Sequence, residues 1–257
     1  MRHAPSAPLH EQERSIAFNF RPWSELPEPP DVIAPVLPPP CPMIGTAHRF
    51  LALVLLLLAS PVMVATAIAI KASSPGGPIL YRQERVGLNR RRRAMQGPTH
   101  RGATDRRKVP NYGRMFQIYK FRTMVPDAER MTGPVWASQK DPRITPVGRI
   151  LRHLRIDELP QLINVVQGTM SLIGPRPERP HFVSQLSEKI PDYVTRLAVP
   201  PGITGLAQVE RDYDGSFEDV KRKVKYDIYY VKNRCYLLDV KIMLRTVDVM
   251  LRGKGAR

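Results

Sequence analysis

The sequence predicts a small, helix-dominated α+β domain with short strands, anchored by an N-terminal membrane helix that turns back to the face it entered from. Three observations carry this. Phe50 to Ile70 is a run of twenty-one residues without a charge, enough at about 1.5 Å per residue to cross a hydrocarbon core of roughly 30 Å. Ser60-Pro61 sits at the centre of that run, where proline removes a main-chain hydrogen bond and bends a helix. Beyond it, a few short stretches with a two-residue period give way to longer ones with helical spacing.

A length of 257 residues allows one ordinary domain with appendages, and a hydrophobic content of 42% can supply its core. Forty Lys and Arg against 23 Asp and Glu give a formal charge of +17. That balance favours anionic partners, whether nucleic acid, phosphorylated substrates or acidic lipid head groups. Cys41 and Cys235 are the only cysteines, so no disulfide framework is expected and a reducing compartment is compatible.

Residues 1–45 contain eleven prolines, among them Pro38-Pro39-Pro40, and no sustained period. Such a stretch is expected to be a disordered arm with a solvated, extended backbone. The membrane helix is placed at 46–71. A signal peptide is a poor fit despite Ala65-Thr66-Ala67, because the preceding forty-nine residues far exceed an n-region. A plain transmembrane helix is the stronger competitor. Basic residues flank both ends, however, His48-Arg49 before and Lys71, Arg82 and Arg85 after, so the positive-inside rule gives no orientation. A helix that returns to its own face accommodates both the flanking charges and the central Ser60-Pro61.

The third segment, 72–257, is the domain itself. Pro75-Gly76-Gly77-Pro78 reads as a turn and Ile79–Val86 as a short strand. Residues 89–114 carry nine Arg or Lys against the single acid Asp105 and read as a basic insertion loop. Anionic membrane lipid is the favoured partner there, at about 1 kcal/mol per basic residue near the surface. Met115–Met124 reads as a strand that puts Lys120 and Arg122 on one face. Helical spacing follows over Val147–Ile156, Leu159–Val166, His181–Leu197, Phe217–Val231 and Tyr236–Leu251, with a loop at Pro200–Gly205. The last helix mixes Leu237, Leu244 and Leu251 with Lys241, Arg245 and Arg252. Such an amphipathic helix can lie in a membrane interface or cover the core.

The chemistry is expected around Asp157 and Glu158. They stand just before Pro160, and proline is well tolerated in a helix's first turn, where backbone N–H groups are unpaired. Acids there also complement the helix dipole without any catalytic role. Adjacent helical residues diverge by about 100°, so a division between nucleophile and metal ligand is open to the pair. Arg152 lies five residues before, and Arg176 sits in the rigid turn Gly174-Pro175-Arg176-Pro177. Guanidinium forks suit phosphate oxygens.

These segments together resemble a known family. Lys120-Phe121-Arg122-Thr123-Met124, Asp141 to Gly148, Asp157 to Val165, Met170 to Pro177 and Pro201-Gly202-Ile203-Thr204-Gly205 look like the bacterial sugar transferases, the monotopic phosphoglycosyl transferases. The resemblance covers roughly residues 46–251. It implies that Ser60-Pro61 breaks a re-entrant helix, with the catalytic part on the cytoplasmic face of the bacterial inner membrane. It implies that Asp157 attacks the phosphorus bearing the sugar of a UDP-sugar, releasing UMP, and that polyprenyl (undecaprenyl) phosphate then takes the sugar phosphate. Glu158 would help hold Mg²⁺, Arg152 and Arg176 would steady phosphate oxygens, and Lys120, Arg122 and Gln208 are further substrate-binding candidates. Members commonly have only a short turn where this chain carries residues 89–114. A homo-oligomer is compatible with the resemblance, and the sugar and pathway are not specified.

Two other readings belong to different classes. A membrane-tethered scaffold could use the basic loop to hold acidic lipid, and would be indifferent to Asp157→Asn. A nucleic-acid-binding domain would need a helix-turn-helix, zinc or aromatic RNA-binding pattern; none is evident, and no specific nucleic-acid partner is expected.

Overall fold

The computed structural model describes residues 42–89, 112–126, 128, 141–210 and 217–252. The proline-rich arm up to residue 41 and the insertion from 90 to 111 lie outside the described residues. Among those described, seven α-helices outweigh four short strands, as the sequence predicts.

The chain begins with α1, Pro42–Ser73, a single 32-residue helix with Pro61 inside it. It starts before residue 46, within the segment assigned to the arm. Proline has no N–H to offer the carbonyl four residues back, which here is Leu57. The Ser60 hydroxyl donates to that carbonyl at 2.7 Å. Serine therefore supplies the hydrogen bond that its neighbour removes.

Both ends of α1 pack on the rest of the domain. Near its start Ile44, His48 and Ala52 are buried, and His48 Nδ1 shares a 2.7 Å hydrogen bond with the Ser171 hydroxyl. Near its end Ile70 joins Phe121 and Leu151 in a core cluster, with Met63 and Ala67 against it. Between the two docked ends Leu53, Val54, Leu55, Leu57, Leu58, Val62 and Val64 are exposed.

The first sheet is the antiparallel pair β1 (Leu80–Val86) and β2 (Met115–Phe121), in register from Leu80 opposite Phe121 to Val86 opposite Met115. Phe116 and Ile118 are buried on one face of this pair, whereas Phe121 of β2 and Val86, which lies opposite Met115, are buried on the other, so each face is partly covered. After β2, Thr145 caps α2 (Pro146–His153) by accepting from Gly148 N. The helix expected to run to Ile156 stops at His153, because Arg155 adopts a left-handed conformation, φ 55°. A 3₁₀ turn, Ile156–Glu158, and the helix α3, Gln161–Val166, follow.

Next come β3 (Ser171–Ile173), α4 (Pro180–Lys189), a 3₁₀ segment Tyr193–Ala198 and β4 (Gly202–Thr204). The helix expected over His181–Leu197 is thus two elements, divided at Pro191 and the left-handed Asp192, φ 57°. The stretch expected to be a loop, Pro200–Gly205, contains β4, which pairs in parallel with β3. Their approach demands glycine: a Cβ on Gly202 would lie 2.2 Å from Gly174 N, and one on Gly174 would lie 2.4 Å from Pro200 O. The short α5 (Leu206–Glu210), α6 (Phe217–Asn233) and α7 (Tyr236–Leu251) complete the fold. A second core cluster joins Val86 of β1, Val183 of α4, Tyr193, Leu197, and Val220 and Val224 of α6. At about 1.5–3 kcal/mol for each fully buried large side chain, it sets these elements against one another.

Candidate active site

The two carboxylates occupy consecutive positions of the 3₁₀ turn Ile156–Glu158 and have different surroundings. Glu158 Oε1 accepts from Lys120 Nζ at 2.7 Å and from Arg176 Nη2 at 2.6 Å. Asp157 is 8% exposed and makes no hydrogen bond or ion pair among the described residues. Adjacent residues of a 3₁₀ turn point about 120° apart, so one carboxylate turns toward β2 and the Arg176 turn while its neighbour takes a separate direction.

Charges around the pair complete the contrast. Burial disfavours ionisation of Glu158, but the Arg176 and Lys120 charges outweigh it and hold its pKa well below the usual carboxylate range. Burial raises the pKa of Asp157, opposed by Lys120, reinforced by the Glu158 charge, and opposed again by Arg152 and Arg176. Glu158 is thus the fixed anion of an ion-pair cluster. Asp157 is an unpaired carboxylate in the field of three cations, which suits a nucleophile toward phosphorus in an anionic substrate.

Each cation is delivered by a defined local structure. Lys120 lies on β2, held against α3 by Asn164: its Nδ2 donates to Gln117 O at 2.8 Å and its Oδ1 accepts from Tyr119 N at 3.0 Å. One buried amide thereby continues the hydrogen bonding of the strand edge and locks Lys120 opposite Glu158. Arg152, on α2, donates from Nε to the Thr123 hydroxyl at 2.9 Å. Its charge is felt by both Asp157 and the buried Asp141. Asp141 itself accepts from Arg143 N at 3.0 Å and Nε at 2.8 Å, bonds that push its pKa down to about 2. Arg176 sits between Pro175 and Pro177 in the turn after β3.

Lys120, Arg152, Arg176, Asp157 and Glu158 are therefore brought together. Two other residues named from the sequence make their hydrogen bonds elsewhere. Arg122 follows the last residue of β2 and is 7% exposed. Its guanidinium donates to the Ser74 carbonyl just after α1 and occupies the space where a Cβ on Gly77 would fall. Gln208, on α5, donates to Ile203 O at 3.1 Å and braces the Pro201–Gly205 segment. Thr123 and Asn164 have roles in the site that the sequence reading did not assign. Asn164 had one available signal, a polar amide within the apolar run Leu162-Ile163-Asn164-Val165-Val166.

The profile of the bacterial sugar transferase family matches residues 45–96 and 100–253, which include every residue of this cluster. The chain belongs to the bacterial sugar transferase family. Among its relatives, the UDP-N-acetylgalactosamine-undecaprenyl-phosphate N-acetylgalactosaminephosphotransferase of Aeromonas hydrophila is 44% identical over 78% of this chain and 41% of its own length. Two proteins named UDP-glucose:undecaprenyl-phosphate glucose-1-phosphate transferase also match. That of Caulobacter vibrioides is 41% identical over 77% of this chain and 66% of its own. That of Escherichia coli K12 is 36% identical over 80% of this chain and 39% of its own. This sugar transferase domain thus spans about two fifths of the Aeromonas and Escherichia relatives and 66% of the Caulobacter one.

Among the described residues no group of three or more His, Cys, Asp or Glu is placed to hold a metal ion, so Glu158 would be one ligand among several. Mg²⁺ binds through one or two carboxylates together with substrate phosphates and retained waters. Oε1 of Glu158 carries both short ion-pair contacts, whereas among the described residues Oε2 has a single 3.5 Å contact, to Arg176 Nη1. That leaves a carboxylate oxygen with acceptor capacity beside Asp157.

Proposed function

We propose that this chain is a phosphoglycosyl transferase that moves a sugar 1-phosphate from a UDP-sugar to polyprenyl phosphate through a covalent intermediate on Asp157. The observation that carries the proposal is the division of the carboxylate pair: Glu158 is neutralised by Lys120 and Arg176, while Asp157 is buried, without a hydrogen-bond or ion-pair partner among the described residues, and in the field of cations. The relatives' names supply the substrate classes.

In the first step an Asp157 carboxylate oxygen attacks the phosphorus that bears the sugar. The bond from that phosphorus to the bridging oxygen breaks, and UMP leaves with the electron pair. In the second, a phosphate oxygen of the polyprenyl acceptor attacks the same phosphorus, and the acyl phosphate bond breaks to restore Asp157. Arg152 and Arg176 orient phosphate oxygens and offset charge as it develops. Lys120 holds Glu158 ionised. Glu158, through Oε2, would hold Mg²⁺, which supplies charge neutralisation to the diphosphate.

The acceptor is a lipid, and the fold supports its delivery. The docking of both ends of α1 on one domain supports a reading in which both lie on one side of a bilayer and the exposed apolar middle enters the hydrocarbon and returns. Ser60 donates to the carbonyl that Pro61 leaves without its helical partner, so no orphaned carbonyl is exposed to the hydrocarbon there. On α7, Leu238 and Ile242 face the core while Leu237, Leu244, Val247 and Leu251 are exposed beside Lys241, Arg245 and Arg252, an arrangement suited to an interface with anionic lipid. On this reading the domain works at the cytoplasmic face of the inner membrane.

The test is UMP release by detergent-solubilised full chain from a panel of UDP-sugars including UDP-glucose and UDP-N-acetylgalactosamine, with and without undecaprenyl phosphate and Mg²⁺. Release that requires the lipid and disappears in Asp157→Asn supports the reading. No release from any donor by folded protein refutes it.

A further inference from the structure

The Arg176 guanidinium meets Glu158 from a turn that two other arginines hold by its main chain. Arg196, in the 3₁₀ segment Tyr193–Ala198, donates from Nη2 to the carbonyl of Arg176 at 2.9 Å. Arg85, on β1, donates from Nη1 to the carbonyl of Pro177 at 3.1 Å. Two consecutive carbonyls are thus gripped from two separate elements.

Arg196 is itself fixed at every nitrogen. Nε donates to Asp227 Oδ2 at 2.9 Å, Nη2 lies 2.7 Å from the same oxygen, and Nη1 donates to the Tyr193 hydroxyl at 2.9 Å. The guanidinium also lies over the Tyr193 ring, 5.2 Å from its centroid. Arg196, Asp227 and Tyr193 are all buried, at 6%, 3% and 1% exposure. Arg85 is held by Gln83 Oε1 at 2.5 Å and by Glu178 at 3.6 Å.

Backbone stiffness gives these bonds leverage. Pro177 restricts Arg176 to extended conformations, and both prolines have fixed φ. With so few torsions free, anchoring the 176 and 177 carbonyls determines where the Arg176 side chain leaves the main chain. That side chain is 38% exposed, so it is not sealed inside the fold.

We infer that Arg196, with Arg85 beside it, is a positioning residue that aims the Arg176 guanidinium at the diphosphate of the donor by holding the Arg176-Pro177 main chain. The inference rests on the transferase reading above. Lysine cannot reproduce the grip, since one ammonium does not span Asp227, Tyr193 and a carbonyl at the same time.

The test is a double-mutant cycle in the full chain, with Arg196→Lys and Arg176→Met made singly and together, measuring kcat and KM for UMP release and the melting temperature of each variant. Arg196→Lys is expected to lower kcat/KM by ~10–100-fold, the scale of a misplaced catalytic group. In the Arg176→Met background the same change is expected to lower it by less than about twofold, because the group being positioned is gone. If Arg196→Lys is poorly folded, Arg85→Gln, whose side chain is partly exposed, runs the same cycle with the same expectation. An equal loss with and without Arg176, or a lower melting temperature with kcat/KM unchanged, overturns the inference while leaving the transferase reading intact. A wild-type chain that releases no UMP overturns both.

Discussion

Lys120 and Glu158 meet at 2.7 Å, a bond that ties the end of a strand to a 3₁₀ turn, while Asp157, the residue just before Glu158, has no hydrogen-bond or ion-pair partner among the described residues. An ionised Glu158 would otherwise repel a second carboxylate beside it. Lys120 and Arg176 oppose that repulsion at Asp157.

Removing the partner should therefore expose the anion. Lys120→Met leaves Glu158 with Arg176 alone, and thermal unfolding should show a loss of roughly 1–3 kcal/mol. That is less than the about 3–5 kcal/mol of a fully buried pair, because Lys120 is a fifth exposed. The double variant Lys120→Met/Glu158→Gln should recover part of the loss. A Lys120→Met chain as stable as wild type would show that the pair contributes nothing.

Asp157 should titrate above an ordinary aspartate, since burial is the largest influence on it and raises its pKa. The acid limb of kcat/KM is expected at a pH above the usual value of about 4. A limb at or below that value would contradict the environment described for Asp157.

The same shift has a consequence for stability. A carboxyl whose folded pKa is raised binds its proton more tightly in the folded state, so stability falls as pH rises from the unfolded value through the folded one. Asp157→Asn should therefore raise the melting temperature at neutral pH, by an amount that shrinks as pH falls toward about 4. A variant that melts lower than wild type at neutral pH would mean that the ionised carboxylate is stabilised in the fold.

Ser60→Ala removes the donor to the Leu57 carbonyl, and in an apolar surrounding an unpaired carbonyl costs about 1–3 kcal/mol. Lower thermal stability in detergent micelles is the expected result. Pro61→Ala, which restores an N–H to the Leu57 carbonyl, should be tolerated. Thiol labelling of the native Cys41, in a chain whose exposed Cys235 is replaced, then reports whether the N-terminal end shares a face with the domain.

Much of the site was legible in the sequence, and what was missed has physical causes. The carboxylate pair and the cations at 120, 152 and 176 announce themselves by residue type and rigid local context. The breaks at Arg155 and Asp192 do not, because each residue adopts a left-handed conformation, φ 55° and φ 57°, that no local glycine signals. Pairing of β3 with β4 is a long-range event between three-residue strands, too short to show a period. Arg122 shares its motif with Lys120, yet it lies beyond the strand's end, where alternation no longer predicts its direction, and its hydrogen bond goes to the Ser74 carbonyl. Asn164 and Arg196 act through main-chain atoms far away in sequence, and spacing carries no trace of such bonds.

The most direct test of the central claim is to incubate the full chain with a UDP-sugar labelled in its β-phosphate, without lipid acceptor, and to map the label by mass spectrometry after rapid denaturation. A sugar-phosphoryl group on Asp157, discharged on adding undecaprenyl phosphate and absent in Asp157→Asn, is the predicted result; turnover with no covalent label, or a label on another residue, would contradict it.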